Sequence, residues 1–181
     1  MASATEGEGT HSNSFGGTLF TPKQVQDYLT LIWKLRVPIV QRQSPANLAA
    51  SILSRILGNR LSEYVYVDFA SGAGGPTPLI ERALNKHIAT RNDRTEAVKF
   101  VLTDLKPHPE AWRSLAKKSA NLTYVAEGVD AANSPHTLLR NVEGVQGKRV
   151  MRLFSLAFHH FDDDVAARIL ANTAETADGI W

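Results

Sequence analysis

Cysteine is absent from the 181 residues, which excludes disulfides, thiolate nucleophiles and cysteine-based zinc sites. No apolar run approaches the roughly 20 residues that a membrane-spanning helix needs. The opening MASATEGEGTHSNSFGG has neither the basic stretch nor the apolar core of a secretory leader. A cytoplasmic protein with no membrane partner is therefore expected, and Asn121-Leu122-Thr123 is then only a chance match to a glycosylation acceptor. Charge of one sign is also scarce. Lys and Arg total 20 against 18 for Asp and Glu, and the resulting +2 is spread evenly, which argues against a nucleic-acid partner. No internal repeat is present.

What remains is ordinary globular composition, 43% hydrophobic and 21% charged, in a chain long enough for one domain with a short appendage. Residues 1–18 are mostly Gly, Ser, Thr and Glu and are expected to be a disordered tail. Residues 19–62 read as a helical segment. Thr21 caps and Pro22 starts a helix running to Arg36, with Val25, Tyr28, Leu29 and Ile32 on one face, before Pro38 ends it. Ser44-Pro45 repeats the start signal. Leu48, Ile52, Leu53 and Ile56 form the next apolar stripe, and Gly58-Asn59 supplies the stop.

Residues 63–181 alternate between strand and helix patterns. Strands are expected at Tyr64 to Phe69, Val98 to Leu102, Leu122 to Val125 and Val150 to Phe158, with a fifth beginning at Gly179. Helices are expected from Thr77 to Ile88, Pro109 to Ser119 and Asp162 to Thr176. In the first of these Leu79, Ile80, Ala83 and Leu84 form the inner face. Strands separated by helices imply parallel pairing through right-handed crossovers, hence a three-layer α/β fold.

The first strand runs straight into Ser71-Gly72-Ala73-Gly74-Gly75 and then into a helix. Glycines let a backbone approach a ligand closely, and free N–H groups at a helix start attract negative charge. Such ligands sit beyond the carboxyl ends of the strands. Asp104 ends the second strand, where a carboxylate can accept both hydroxyls of an adenosine ribose. These two signals suit either a nicotinamide or an S-adenosylmethionine protein. The dinucleotide fingerprint wants a third glycine, and Thr77 stands in its place. Asp68, just before the turn, suits a ligand bearing an ammonium group better than a pyrophosphate.

Asp68 to Gly75 (DFASGAGG) resembles the first motif of the class I, Rossmann-like S-adenosylmethionine-dependent methyltransferases, with Ala70 where the first glycine usually stands. Val129-Asp130-Ala131 resembles that family's motif after the third strand, and FSLAFHHF, from Phe154 to Phe161, its fourth-strand segment. The resemblance covers Tyr64 to Trp181. It implies S-adenosylmethionine as cofactor, held by Asp68, Ala70, Ser71, Gly72, Gly74, Asp104, Leu105, Asp130 and Ala131. Methyl transfer to a small-molecule acceptor would follow. The family fold has seven strands and this chain reaches only the start of the fifth. The resemblance therefore implies an incomplete sheet, with an open edge available to a partner or to self-association.

His159 and His160 are the candidate catalytic pair, because histidine titrates near neutral pH and can act as a general base. Adjacent histidines at a strand end can equally line a pocket without chemistry. They lack the spacing of a helical zinc motif, and Asp162-Asp163-Asp164 suits the start of a helix, so no metal is expected. Trp33 and Trp112 read as packing aromatics. Three other readings stay open: a methyltransferase-like protein without turnover, a nicotinamide-dependent oxidoreductase, and a non-enzymatic scaffold.

Overall fold

The computed structural model describes residue 31 and residues 44–91 and 96–181. The tail expected over residues 1–18, the helix expected from Pro22 to Arg36 apart from residue 31, and Trp33 lie outside the described residues. The elements in chain order are α1 (Pro45–Leu57), β1 (Tyr64–Asp68), α2 (Thr77–Thr90), β2 (Phe100–Leu102), α3 (Pro109–Ala116), β3 (Leu122–Tyr124), β4 (Arg149–Leu153), α4 (Asp163–Thr176) and β5 (Gly179–Ile180). The strands form one parallel five-stranded sheet in the order β3-β2-β1-β4-β5. The chain is an α/β protein, as the alternation of patterns predicts.

Strand periodicity separates two cores. Tyr64, Tyr66, Phe100, Leu102, Met151 and Leu153 face α1, α2 and the Trp112 side of α3. Val65, Val67, Val101 and Val150 face the other way, against Ile169 of α4 and Val129, Val142 and Val145 of the β3–β4 connection. The helices that follow β1 and β2 thus cover one face, and the helix that follows β4 covers the other. The order of the strands reverses at the same place, because β4 returns to the far side of β1. In register, Asp68 is level with Leu102 and with Leu153, so three strands end together at this reversal. Open α/β sheets carry their ligand crevice at such a point.

Three local expectations need correction. In α1 the buried stripe is Ala46, Ala49, Ala50, Leu53 and Leu57, whereas Leu48 is 49% and Ile56 62% exposed. Small alanines let α1 lie close against its neighbours, and that contact sets which face turns inward. The second strand starts at Phe100, not Val98, because the Asn85 side chain takes both backbone groups of Val98. Its Oδ1 accepts from the amide at 2.8 Å and its Nδ2 donates to the carbonyl at 3.0 Å. The fourth strand stops at Leu153, and Phe158–His160 is a 3-10 turn. Phe154, Phe158 and Phe161 recur at helical spacing and pack on each other edge-on, with centroids 5.3 to 6.5 Å apart. That cluster bends the chain away from the sheet.

Among the described residues, no helix is long and apolar enough to cross a membrane. The corrected stripe of α1 makes a direct comparison available. Leu53→Ala should cost about 2–5 kcal/mol of unfolding free energy, and Ile56→Ala should stay within about 0.5 kcal/mol of the parent. Urea denaturation of the two variants checks this, and equal losses would contradict the burial pattern.

Candidate functional site

The glycine turn lies at the carboxyl end of the central strand and is clamped from three sides. Ser71 donates its amide to the Thr103 carbonyl at 3.1 Å, and the Gly74 amide bonds back to Ser71 at 2.8 Å. The Trp112 indole donates to the Gly72 carbonyl at 2.8 Å. Gly74 is small for a reason other than ligand approach. A Cβ there would fall on the Leu115 side chain of α3, so its bareness serves packing within the protein. Ala70 takes the left-handed conformation, φ 53°, where a side chain costs about 1–2 kcal/mol. The family glycine would carry no such strain.

Asp68 is wholly buried. Its Oδ2 accepts from the Thr77 hydroxyl at 2.6 Å, and its Oδ1 faces the Ser155 amide at 3.4 Å. The Thr77 and Ser155 hydroxyls lie 3.3 Å apart. Burial pushes the carboxyl up from 3.8 to about 7, against the opposite pull of the hydrogen bonds from Thr77 and Ser155. Asp68, expected to meet a ligand ammonium, is placed inside the protein with its oxygens turned to Thr77 and Ser155. The carboxylate is spent on joining β1, α2 and the exit of β4, and it reaches the site only through Ser155. Thr77, which stands where a dinucleotide fingerprint would have glycine, is half of that junction.

Asp104 is partly exposed and draws the next segments together. Its Oδ2 accepts the Gly72 amide and its Oδ1 the Lys106 amide, both at 2.8 Å. Its carbonyl accepts the Val129 amide at 2.8 Å. Gly128 passes so close to the Leu105 carbonyl that a Cβ would sit 2.8 Å from it. Leu105 itself projects outward, 64% exposed. The Asp130 carboxylate is exposed and caps the following turn by accepting from the Ala132 amide at 2.8 Å. Ala131 is buried, and its carbonyl accepts from Arg152 in the second core. It belongs to the protein interior and not to this rim.

A cavity of ≈ 530 Å³ opens between the glycine turn and the segment after β4, lined among others by Ala70, Ser71, Gly72, Leu156, His159 and His160. The Ser71 hydroxyl is buried and has no hydrogen-bond partner. A buried hydroxyl left unmatched costs about 1–3 kcal/mol, so its position on a cavity wall suits a ligand contact. The two imidazoles are exposed, with ring centroids 4.0 Å apart. Among the described residues, no side-chain hydrogen bond orients either ring. Among the described residues, no group of three or more His, Asp or Glu is placed to hold a metal. The structure thus brings Ala70, Ser71, Gly72, His159 and His160 to one cavity. Asp104, Leu105 and Asp130 lie on the adjoining rim, and Asp68, Gly74 and Ala131 lie in the protein's own packing.

Trp112 and Ser155 were not legible as part of this site. Nothing in the spacing of Trp112 says that its indole will reach Gly72 across 40 positions of chain. Leu156, at φ 62°, lies within the Phe154–Phe161 segment and lines the same cavity.

The Asp68 carboxyl generates a prediction. Its proton is held more tightly in the folded chain than in the unfolded one. That contribution is complete below about pH 4 and is lost as pH rises through about 7. Asp68→Asn should therefore flatten the fall in stability over that range by up to about 1.4 kcal/mol per pH unit. Denaturant unfolding of both proteins across this range measures the difference, and parallel curves would place the titration elsewhere.

Comparison with protein families, with curated proteins and with solved structures finds no match.

Proposed function

We propose that the carboxyl edge of this sheet binds S-adenosylmethionine in the manner of class I methyltransferases and transfers its methyl group to a small-molecule acceptor. The observation that carries the reading is the junction at Asp104. One carboxylate at the end of β2 holds the glycine turn through Gly72, while its own carbonyl holds the β3 exit through Val129. The glycine turn, the end of β2 and the Val129-Asp130-Ala131 segment are thereby hydrogen-bonded into one rim beside a cavity of ≈ 530 Å³. That volume falls within the roughly 300–1,000 Å³ typical of small-molecule sites.

The residues suit the cofactor's parts. Asp104 keeps lone pairs for ribose hydroxyls. Leu105, exposed beside it, offers an apolar surface to a flat base, and Asp130 lies next along the rim. The Ser71 hydroxyl and the turn around Gly72 face the remainder. The cofactor would supply an electrophilic methyl on its sulfonium. The chain's own task is alignment and exclusion of water, and alignment alone can contribute roughly 7–11 kcal/mol. His159 and His160 stand across the cavity, where an imidazole can take a proton from an acceptor hydroxyl or amine. Their lack of an orienting partner favours a second reading, binding without turnover. The nicotinamide reading is weaker, because Thr77 is committed to Asp68 and leaves no third glycine for the dinucleotide fingerprint.

Titration of the chain with S-adenosylhomocysteine, with NADH in parallel, tests the proposal. Saturable binding of the first alone is expected. Asp104→Ala should weaken it more than tenfold in a chain whose circular dichroism is unchanged, whereas the double variant His159→Ala, His160→Ala should bind it as the parent does. No binding by a folded parent chain would sink the proposal.

A further inference from the structure

A second cavity, of ≈ 410 Å³, lies on the face of the sheet covered by α4 and the β3–β4 connection. Strand alternation turns Arg152 of β4 toward this face, where the residue is only 1% exposed. Nη1 donates to the Ala131 carbonyl and the Thr173 hydroxyl, each at 3.1 Å. Nη2 donates to Asn172 Oδ1 at 2.8 Å and to the Thr176 hydroxyl. The guanidinium also lies 4.4 Å over the Phe69 ring. Every one of these partners is neutral. Burial lowers the guanidinium to about 10, which leaves it cationic at neutral pH. Among the described residues no carboxylate pairs with it, and an unpaired buried charge is costly.

A second observation in the same cavity points the same way. Ser134 is 2% exposed, and its hydroxyl has no hydrogen-bond partner. The residue is held firmly. Its amide donates to Asn172 Oδ1 at 3.1 Å and its carbonyl accepts from Asn172 Nδ2 at 3.2 Å. Asn172 is the asparagine that also receives Arg152, so cation and hydroxyl are fixed on one scaffold. Among the described residues, the other ionisable ones lining the cavity are His136, Arg140 and Lys148, with no Asp or Glu. Phe69, Leu138, Leu139, Val145 and Val150 supply apolar wall.

A role confined to tying α4 and the β3–β4 connection to β4 would account for the four hydrogen bonds of Arg152. It would leave the net charge and the Ser134 hydroxyl unanswered. We propose that this cavity binds a small organic anion, a carboxylate or phosphate monoester on an apolar body. Arg152 is the buried counter-charge, Ser134 donates the neutral hydrogen bond, and the apolar wall receives the body of the ligand. The inference does not rest on the methyltransferase reading, because the two cavities share no lining residue.

The test titrates the full chain with phenyl phosphate, benzoate, inorganic phosphate and benzyl alcohol, followed by calorimetry and by amide chemical shifts over residues 134–148. Saturable binding of phenyl phosphate or benzoate is expected, with benzyl alcohol and inorganic phosphate much weaker. Ser134→Ala removes only an unmatched hydroxyl, so its melting temperature without ligand should equal or exceed the parent's. Its affinity for the organic anion should nevertheless fall at least fivefold. Ser134→Leu, which fills the cavity, should abolish binding, and so should Arg152→Met in whatever fraction folds. Absence of saturable binding to the folded parent would overturn the inference. So would affinity unchanged in both Ser134 variants. Inorganic phosphate binding as tightly as its phenyl ester would overturn the organic part and leave a free-anion site. Failure of S-adenosylhomocysteine to bind in the same preparation would bear only on the other cavity.

Discussion

At the carboxyl end of the central strand the Asp68 side chain is shut away from solvent, with the Thr77 hydroxyl on one oxygen and the Ser155 amide facing the other. Those partners belong to the start of α2 and to the exit of β4. A single carboxyl therefore joins the three pieces of chain that meet where the strand order reverses. Burying an ionisable group there is expensive unless it is protonated or well bonded, and its raised pKa is the expression of that cost. The arrangement persists because the parallel register already brings Asp68 level with Leu102 and Leu153. With that junction in place, the glycine turn and the segment after β4 have fixed positions, and the cavity between them follows.

Asp104 performs a related task one strand further out, but at a partly exposed position. By accepting the Gly72 and Lys106 amides it holds the turn and its own loop, and it keeps lone pairs directed to the rim. The two carboxylates thus differ in burial and hence in role. Asp68 is locked inside the junction, and Asp104 stays partly open at the edge of the sheet. Trp112 closes the set from α3, which explains why an indole with a polar tip serves there better than a phenyl ring.

The opposite face shows what alternation can do to a charged residue. Met151 and Leu153 enter the larger core, so Arg152 must enter the other. Its described neighbours answer it with hydroxyl, amide and carbonyl oxygens and an aromatic face, and none of them is a carboxylate. The β3–β4 connection folds over this cation through a 3-10 turn and a series of short turns without an α-helix. A layer built from loop leaves more space than a packed helix does, and the second cavity occupies that space.

Local patterns were sufficient for the order and type of the described α-helices and strands, though not for the 3-10 turns between them. Pro45 and Asp162 mark helix starts, YVYVD marks a strand buried on both faces, and the glycines after it mark the turn. These signals act over a few residues, and local sterics and hydrogen bonding determine them. The sequence by itself therefore established an α/β alternation and a glycine-rich turn at the end of its first strand. It did not establish which face of α1 turns inward, since alanine and isoleucine differ in hydrophobicity in the wrong sense, and only the close approach of neighbouring elements selects alanine. Nor could it show that Asn85 would cap β2, that Thr77 would serve a buried Asp68, or that Arg152 would lie uncompensated beneath a cavity. Each of these depends on groups between 9 and 24 positions apart in the chain. Such pairings exist only once the strands have paired, because register and not residue type decides which side chains meet.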